Sequence, residues 1–356
     1  MGKRNHLQDL REDVSNNNLT TPLPIIMLSS ATHQYSKQIV RRLHIMQKIA
    51  ITGCASRFAR VLLPLLEKEP NIEQIIGIDL VPPMGTYSKL VFHKQDVRDP
   101  SIKETLAGCD TLVHLAFIVG RPYRMPLAEA ASINLGGTWN TCSAAATTGV
   151  RKLVISSSIA AYSTLPDNPE PVLEDTPLRG LYTSFYYNQH KHANEIWLDG
   201  LQLAFPQLII SRARPCIVIG PNQTAATSYI QPNKTHFTSP AARKIRLQLV
   251  HEDDLANAFY ALIQNVLPGS YNIVGDDPET LPNIAAAAGL QVIEIPDEMV
   301  VQAVTTAWEE GRSDFGPEWL SEGTLICSNA KLKATGTWTP RYTTTQAFAA
   351  TVKALA

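Results

Sequence analysis

The chain has 356 residues, 44% of them hydrophobic and 18% charged, with a formal net charge of −1. That balance suits a globular protein large enough for two units sharing a core, and it gives no bulk attraction for nucleic acid or an anionic membrane. Five widely spaced cysteines (Cys54, Cys109, Cys142, Cys216, Cys327) form no C-x-x-C pair, so a reducing, cytoplasmic setting is expected, without a disulfide framework or a metal site, and no apolar run approaches the length of a membrane span.

Residues 1–45 read as lying outside the fold. They combine Ser15-Asn-Asn-Asn18 with six basic and three acidic residues. Their best apolar patch, 23–28, holds Pro24 and follows acids, which argues against a signal peptide, and the acids argue against a transit peptide. A disordered extension is expected, or a start codon placed too early, with Met46 just before the first strand. The alternative is a regulatory or docking tail.

Ile49-Ala-Ile51 has no polar alternation, as in a parallel strand buried on both faces. It runs into a turn at Gly53. Phe58, Val61, Leu62, Leu65 and Leu66 then make one apolar stripe of a helix. Ile75-Ile-Gly-Ile78 is a second buried strand closed by Asp79, about where a dinucleotide-binding βαβ unit places the acid for the adenosine ribose. Such a unit is an anion site: unpaired N–H groups and the positive helix end face a pyrophosphate. In the T-G-x-x-G-x-x-G frame the chain has Gly53, Ser56 and Ala59, so only the first glycine is kept. Ser56 brings a Cβ to the phosphate's approach and offers a hydroxyl, while Arg57 adds charge; the other reading is a weakened or lost site.

Strands and helices alternate as far as Ile219, the order that builds a doubly wound parallel sheet. Strands are expected at 90–93, leading into Gln95-Asp-Val-Arg-Asp99, and at 111–117, 152–155 and 208–211, with a helix over 128–149. Ser156-Ser-Ser158 falls at a carboxyl strand edge, where such sheets carry ligands. After a Pro-rich connection over 163–177, Ser184 is the candidate N-cap of a helix bearing Tyr187 and Lys191 on one face. Tyr-x-x-x-Lys alone decides nothing; its place behind a serine cluster and a phosphate turn gives it meaning. His190 and His192, two apart, point in different directions.

Further matches are Val113-His-Leu-Ala-Phe117, Asn134-Leu-Gly-Gly-Thr138, Ser156-Ser-Ser-Ile-Ala-Ala-Tyr162, Arg214-Pro-Cys-Ile-Val-Ile-Gly-Pro221, Val250-His-Glu-Asp-Asp254 and Trp338-Thr-Pro-Arg-Tyr342. In this order the sequence from Met46 onward resembles the extended branch of the short-chain dehydrogenase/reductase superfamily, most closely the UDP-glucose 4-epimerase-like and NAD-dependent epimerase/dehydratase proteins. The resemblance implies a Rossmann-type α/β fold over 46–221, with 249–275 returning to it, and a smaller C-terminal substrate domain from 222–248 and 276–356. It implies Ser158 as catalytic serine, Tyr187 as acid/base, Lys191 as its partner and holder of the nicotinamide ribose, and Asn134 as support for the helix and water network beside the lysine. For NAD it implies Gly53, Ser56, Arg57 and Phe58 in the phosphate turn, Asp79 at the ribose and Asp96 and Val97 at the adenine. Leu115, Ala116 and Phe117 would lie along the cofactor, and Ser156 and Pro215 near the nicotinamide.

The substrate side is thinner. Only residues 222–249 separate the Gly-Pro turn from Val250, short for a large uridine pocket. Met299, Val300, Ala303, Val304 and Ala307 predict an amphipathic helix, and 314–319 a loop over the cleft. His251 reads as a packed core residue. The expected function is an NAD-dependent epimerase/dehydratase-type oxidoreductase acting on a hydroxyl or carbonyl substrate, with nucleotide sugars among the candidates. A non-catalytic dinucleotide sensor or scaffold is the alternative. A small-molecule substrate is the expected partner, with a homodimer as candidate assembly.

Overall fold

The computed structural model describes residues 46–223, 235–321 and 323–355. The expectations for residues 1–45, and for part of the 222–248 segment, lie outside the described residues. Strand β1 (Gln47–Thr52) leaves no surface on Ile49, Ala50 or Ile51. It is a central strand, so apolar residues point to both faces. Helix α1 (Ala59–Glu67) follows, burying Ala59, Leu62, Leu63 and Leu66; Val61 and Leu65 of the predicted stripe are only half-buried, because the helix is turned by about one position against the sheet.

Next come β2 (Ile72–Asp79), β3 (Leu90–Lys94), α2 (Ile102–Leu106) and β4 (Thr111–His114). The predicted fourth strand extended to Phe117. It stops at His114, and Leu115 to Phe117 form the exit loop. The single helix predicted over 128–149 is three pieces: α3 (Leu127–Ala131), a π-helical turn (Ser132–Gly137) and α4 (Thr138–Thr147). Strand β5 (Lys152–Ser156), helix α5 (Tyr186–Ala204) and strand β6 (Ile209–Pro215) complete the first half. Ser184 does not cap α5: the N-cap is Phe185, without a side-chain hydrogen bond.

After β7 (Ile217–Ile219), β8 (Thr235–Thr238), β9 (Arg246–Leu247) and β10 (Leu249–His251), helix α6 (Glu252–Gln264) leads to β11 (Gly269–Ile273). That strand rejoins the main sheet, whose order is β11-β6-β5-β4-β1-β2-β3, parallel throughout. This is a Rossmann-type arrangement, with β1 and β4 adjacent where the strand order reverses. The remaining elements are β12 (Glu279–Thr280), α7 (Leu281–Ala287), β13 (Gln291–Glu294), α8 (Asp297–Glu309), α9 (Ala330–Ala334) and α10 (Thr344–Leu355). Among the described residues, the strands outside the main sheet pair two by two, β7 with β10, β9 with β12 and β8 with β13. A small core of Ile219, Leu249, Ile284 and Phe348 holds this side. Helix α8 forms as predicted but buries none of its residues: Met299 is 54% and Val301 46% exposed.

Candidate active site

The first turn is built by Gly53, whose φ is +72°, and a Cβ there would stand 2.7 Å from the Ala116 nitrogen. Only glycine allows this approach of the turn to the β4 exit. Asp79 at the end of β2 accepts the Ala55 N–H at 2.9 Å and the Leu80 N–H at 2.7 Å, so the acid is tied to the turn it follows. Ser56 Oγ accepts the Ala59 N–H at 3.2 Å, so its hydroxyl serves the start of α1. The backbone N–H groups of Arg57 and Phe58 make no hydrogen bond to other described residues. Arg57 is exposed, and Arg60 Nε is buried without a hydrogen-bond partner among the described residues. Unpaired donors and a guanidinium at a helix N-terminus fit a pyrophosphate, even with two of the three glycines missing.

Asp96, expected at the adenine, is committed to Arg98, which donates to both carboxylate oxygens and holds the group below its ordinary range. Val97 is buried against Gly137, where a Cβ would come within 2.5 Å of its methyl group. The π-helical turn therefore needs glycine at this point.

That turn also aims Asn134. Its Oδ1 accepts the Ile118 N–H at 2.7 Å and its Nδ2 donates to the Ile118 carbonyl at 3.0 Å, which pins the loop leaving β4. The Asn134 carbonyl accepts from Thr138 Oγ1 and Asn194 Nδ2. Behind it, His114 is sandwiched between Thr52 Oγ1 at 2.7 Å and Thr138 Oγ1 at 2.9 Å, and burial pushes its pKa down to about 3. It is a neutral spacer between β1, β4 and α4. Such π-turns often sit at functional sites, and none of this was legible from Asn134 alone.

Three serines at the β5 end do three different things. The Ser156 carbonyl accepts Lys191 Nζ at 2.7 Å, Ser157 Oγ donates to Glu195 at 2.6 Å, and Ser158 Oγ caps the following turn at Ala160 and lies 3.4 Å from the Pro215 carbonyl. Lys191 is buried, its ammonium 3.4 Å from the centre of the Phe117 ring and 5.6 Å from that of Tyr187. Burial brings its pKa down to about 7, with Glu195 pulling the other way. Tyr187 itself sits among Phe117, Phe185 and Trp319. Its neighbour Tyr186 donates its hydroxyl to the Val119 carbonyl at 2.6 Å. His190 meets Asn134, while His192 accepts the Leu181 N–H.

One residue escaped the sequence reading. Glu195 continues the face of Tyr187 and Lys191 by another four residues, and that spacing was the signal available. Its carboxylate accepts from Arg212 at 3.0 Å and from Arg214 at 2.8 and 3.0 Å. Burial works against the charge, but the two guanidiniums and Ser157 outweigh it and hold the carboxyl well below the usual range. Arg214 goes on to the Tyr162 hydroxyl, which bonds Asn272.

Two late motifs prove to be one structure. Asp254 accepts the N–H groups of Arg341 and Tyr342, and its carbonyl accepts from Trp338 Nε1. Glu252 holds Asn222 and Gln223 beyond Gly220. His251 caps α6 through Asp253 and stacks on Tyr342, a packing role. From the smaller side a turn at Pro317–Ser321 sets Trp319 on Tyr187, ring centres 5.2 Å apart. Among the described residues no cluster could hold a metal ion, and no helix is long and apolar enough to cross a membrane.

The sequence model of the NAD dependent epimerase/dehydratase family matches residues 49–274. The uncharacterized protein Rv0501 of Mycobacterium tuberculosis is 23% identical over 317 residues, 84% of this chain and 82% of the relative. Among solved structures, a UDP-glucose 4-epimerase from Thermotoga maritima with UDP-glucose superposes with a TM-score of 0.69 at 17% identity, covering 86% of this chain and 98% of the other. The Bordetella bronchiseptica enzyme WbmH in complex with NAD+ gives 0.65 at 19%, covering 87% and 98%. The family match supports an enzyme rather than a non-catalytic sensor. The chain belongs to the NAD-dependent epimerase/dehydratase family, the extended branch of the short-chain dehydrogenases/reductases, and that membership gives NAD as its cofactor.

Proposed function

We propose that the chain moves a hydride between NAD and a hydroxyl or carbonyl carbon of a small-molecule substrate, with Tyr187 as acid/base. The supporting observation is the buried Lys191 ammonium, bonded to the Ser156 carbonyl at the end of β5 and 5.6 Å from the centre of the Tyr187 ring. Bound NAD supplies the hydride acceptor or donor. Tyr187 takes or returns the hydroxyl proton, and Ser158 orders the same oxygen. A free phenol ionises near about pH 10, so work at neutral pH needs about 4 kcal/mol of preference for phenolate. Lys191, 5.6 Å from the ring centre, supplies about 3 kcal/mol of this at an effective dielectric of about 20 when it is charged. Burial holds its pKa at about 7, so that support is lost as pH rises through neutrality. We assign the smaller unit, 222–248 and 276–356, to the substrate. The homodimer face is proposed on α4 and α5, where Trp139 stacks on Trp197 at 6.0 Å and stays 36% exposed.

Tyr187→Phe keeps the ring packing and removes the proton carrier. It should lose at least about 100-fold in kcat while NAD affinity changes little. Wild-type turnover by this variant would refute the assignment.

A further inference from the structure

A buried ammonium keeps its proton only where something replaces the hydration it has lost. Among the described residues, Lys191 Nζ has one hydrogen bond, to the Ser156 carbonyl at 2.7 Å. The rings of Phe117 at 3.4 Å and Tyr187 at 5.6 Å add attraction but no countercharge.

An acid able to supply that countercharge stands on the same helix. Glu195 follows Lys191 by four residues, so the two side chains share a face of α5. Both line a cavity of about 10 Å³, barely room for a single water, together with Asn194, Ser157, Thr138 and His114. With so little water to screen it, a carboxylate across this space acts on the ammonium far more strongly than it would in bulk solvent. The two are also joined through β5: Ser156 takes the ammonium, and the next residue, Ser157, donates to the Glu195 carboxylate at 2.6 Å.

The other titratable groups around Nζ give no negative charge at neutral pH. His114 on β4 and His190 on α5 are kept neutral, burial lowering them to about 3 and about 4. A free phenol such as that of Tyr187 is uncharged below about pH 10. From β6, Arg212 and Arg214 stand on the Glu195 carboxylate, at 3.0 Å and at 2.8 and 3.0 Å. Lys191 therefore feels Glu195 less whatever these two guanidiniums cancel.

We propose that Glu195 is a positioning residue acting through Lys191: its carboxylate keeps the ammonium charged beside Tyr187, and Arg212 limits how strongly it does so. This rests on the Tyr187 reading and deepens it. Burial draws the Lys191 ammonium down and Glu195 draws it back, to about 7. Without the carboxylate the lysine would be mostly neutral at pH 7, and a phenolate at Tyr187 would lose its cation.

The test reads Lys191 itself, by NMR of the full chain carrying lysine labelled at the ε carbon, with NAD+ present. Exposed lysines titrate near about pH 10.4. The Lys191 signal is told from that of Lys152, which burial lowers to about 8, by its absence in Lys191→Met. Glu195→Gln should lower the Lys191 midpoint by at least about one pH unit, the lower end of what a close opposite charge is worth. Arg212→Gln leaves Glu195 both of its Arg214 bonds and should raise the midpoint by about half a unit or more. A network that served folding alone would change the melting temperature and leave the midpoint in place. A midpoint unmoved in Glu195→Gln, or unmoved or lowered in Arg212→Gln, overturns the proposal. Should Glu195→Gln fail to fold, the sign of the shift in Arg212→Gln decides alone. The Tyr187 reading is checked separately by phenolate absorbance, taken as the difference between the chain and Tyr187→Phe. Lys191→Met should raise that phenol's midpoint by at least about one unit. If the phenol ignores Lys191 while Lys191 still follows Glu195 and Arg212, the acid/base reading fails and the control of the lysine's charge stands.

Discussion

The main sheet and the elements outside it are held together by different physics. Around the main sheet, charged groups are buried and cross-linked: Glu195 is 1% exposed and joins α5 to β5 and β6 through Ser157, Arg212 and Arg214. Outside it ion pairs such as Arg243–Glu294, each about half exposed, lie at the surface, and α8 has no fully buried residue. Buried cross-links are thus concentrated around the main sheet, and the elements outside it are more lightly packed. A fold arranged this way can change its substrate wall without disturbing the hydride geometry, since function lies in the site rather than the fold.

The sharpest way to break this contrast is to remove Glu195. Glu195→Ala strands two buried guanidiniums and should cost about 3–5 kcal/mol, read as a large fall in Tm or loss of soluble protein. A loss under about 1 kcal/mol would show that the buried network is not what stiffens the sheet. Acid should expose the same asymmetry at a smaller scale. Unfolded His114 takes a proton near its ordinary value of 6.5, whereas in the folded chain burial delays this to about 3. The unfolded state therefore binds more protons in that window, and the stability is fully present above pH 6.5 and lost as pH falls toward 3. The loss is on the order of a few kcal/mol, to which His190, also depressed by burial, adds with the same sign. Urea titrations at pH 7 and pH 4.5 should show the drop, and His114→Gln should flatten it. An equal slope in the variant would place the acid sensitivity elsewhere.

In the smaller unit, Arg243→Ala should change stability by no more than about 1 kcal/mol, because exposed pairs are screened and entropically costly. A fall comparable with that of Glu195→Ala in the same urea assay would erase the distinction between the two regions. The assembly is the gentlest probe: Trp139→Glu should shift a dimer toward monomer in sedimentation velocity and leave the melting curve of the monomer nearly unchanged.

By itself the sequence determined whatever repeats locally. Buried parallel strands read as unbroken apolar runs, Asp79 falls at the end of β2 because the βαβ unit has a set length, and Tyr187 and Lys191 share a face because a helix turns every 3.6 residues. Tertiary structure decided the rest. The π-helical turn at Asn134 exists because the side chain must reach Ile118 on another loop, so the helix predicted through it is interrupted. Asp254 finds its partners 87 residues away at Arg341, and Trp319 covers Tyr187 from the far end of the chain. Such contacts leave no local period to read, since two distant segments meet only when the sheet has already brought their ends to one edge.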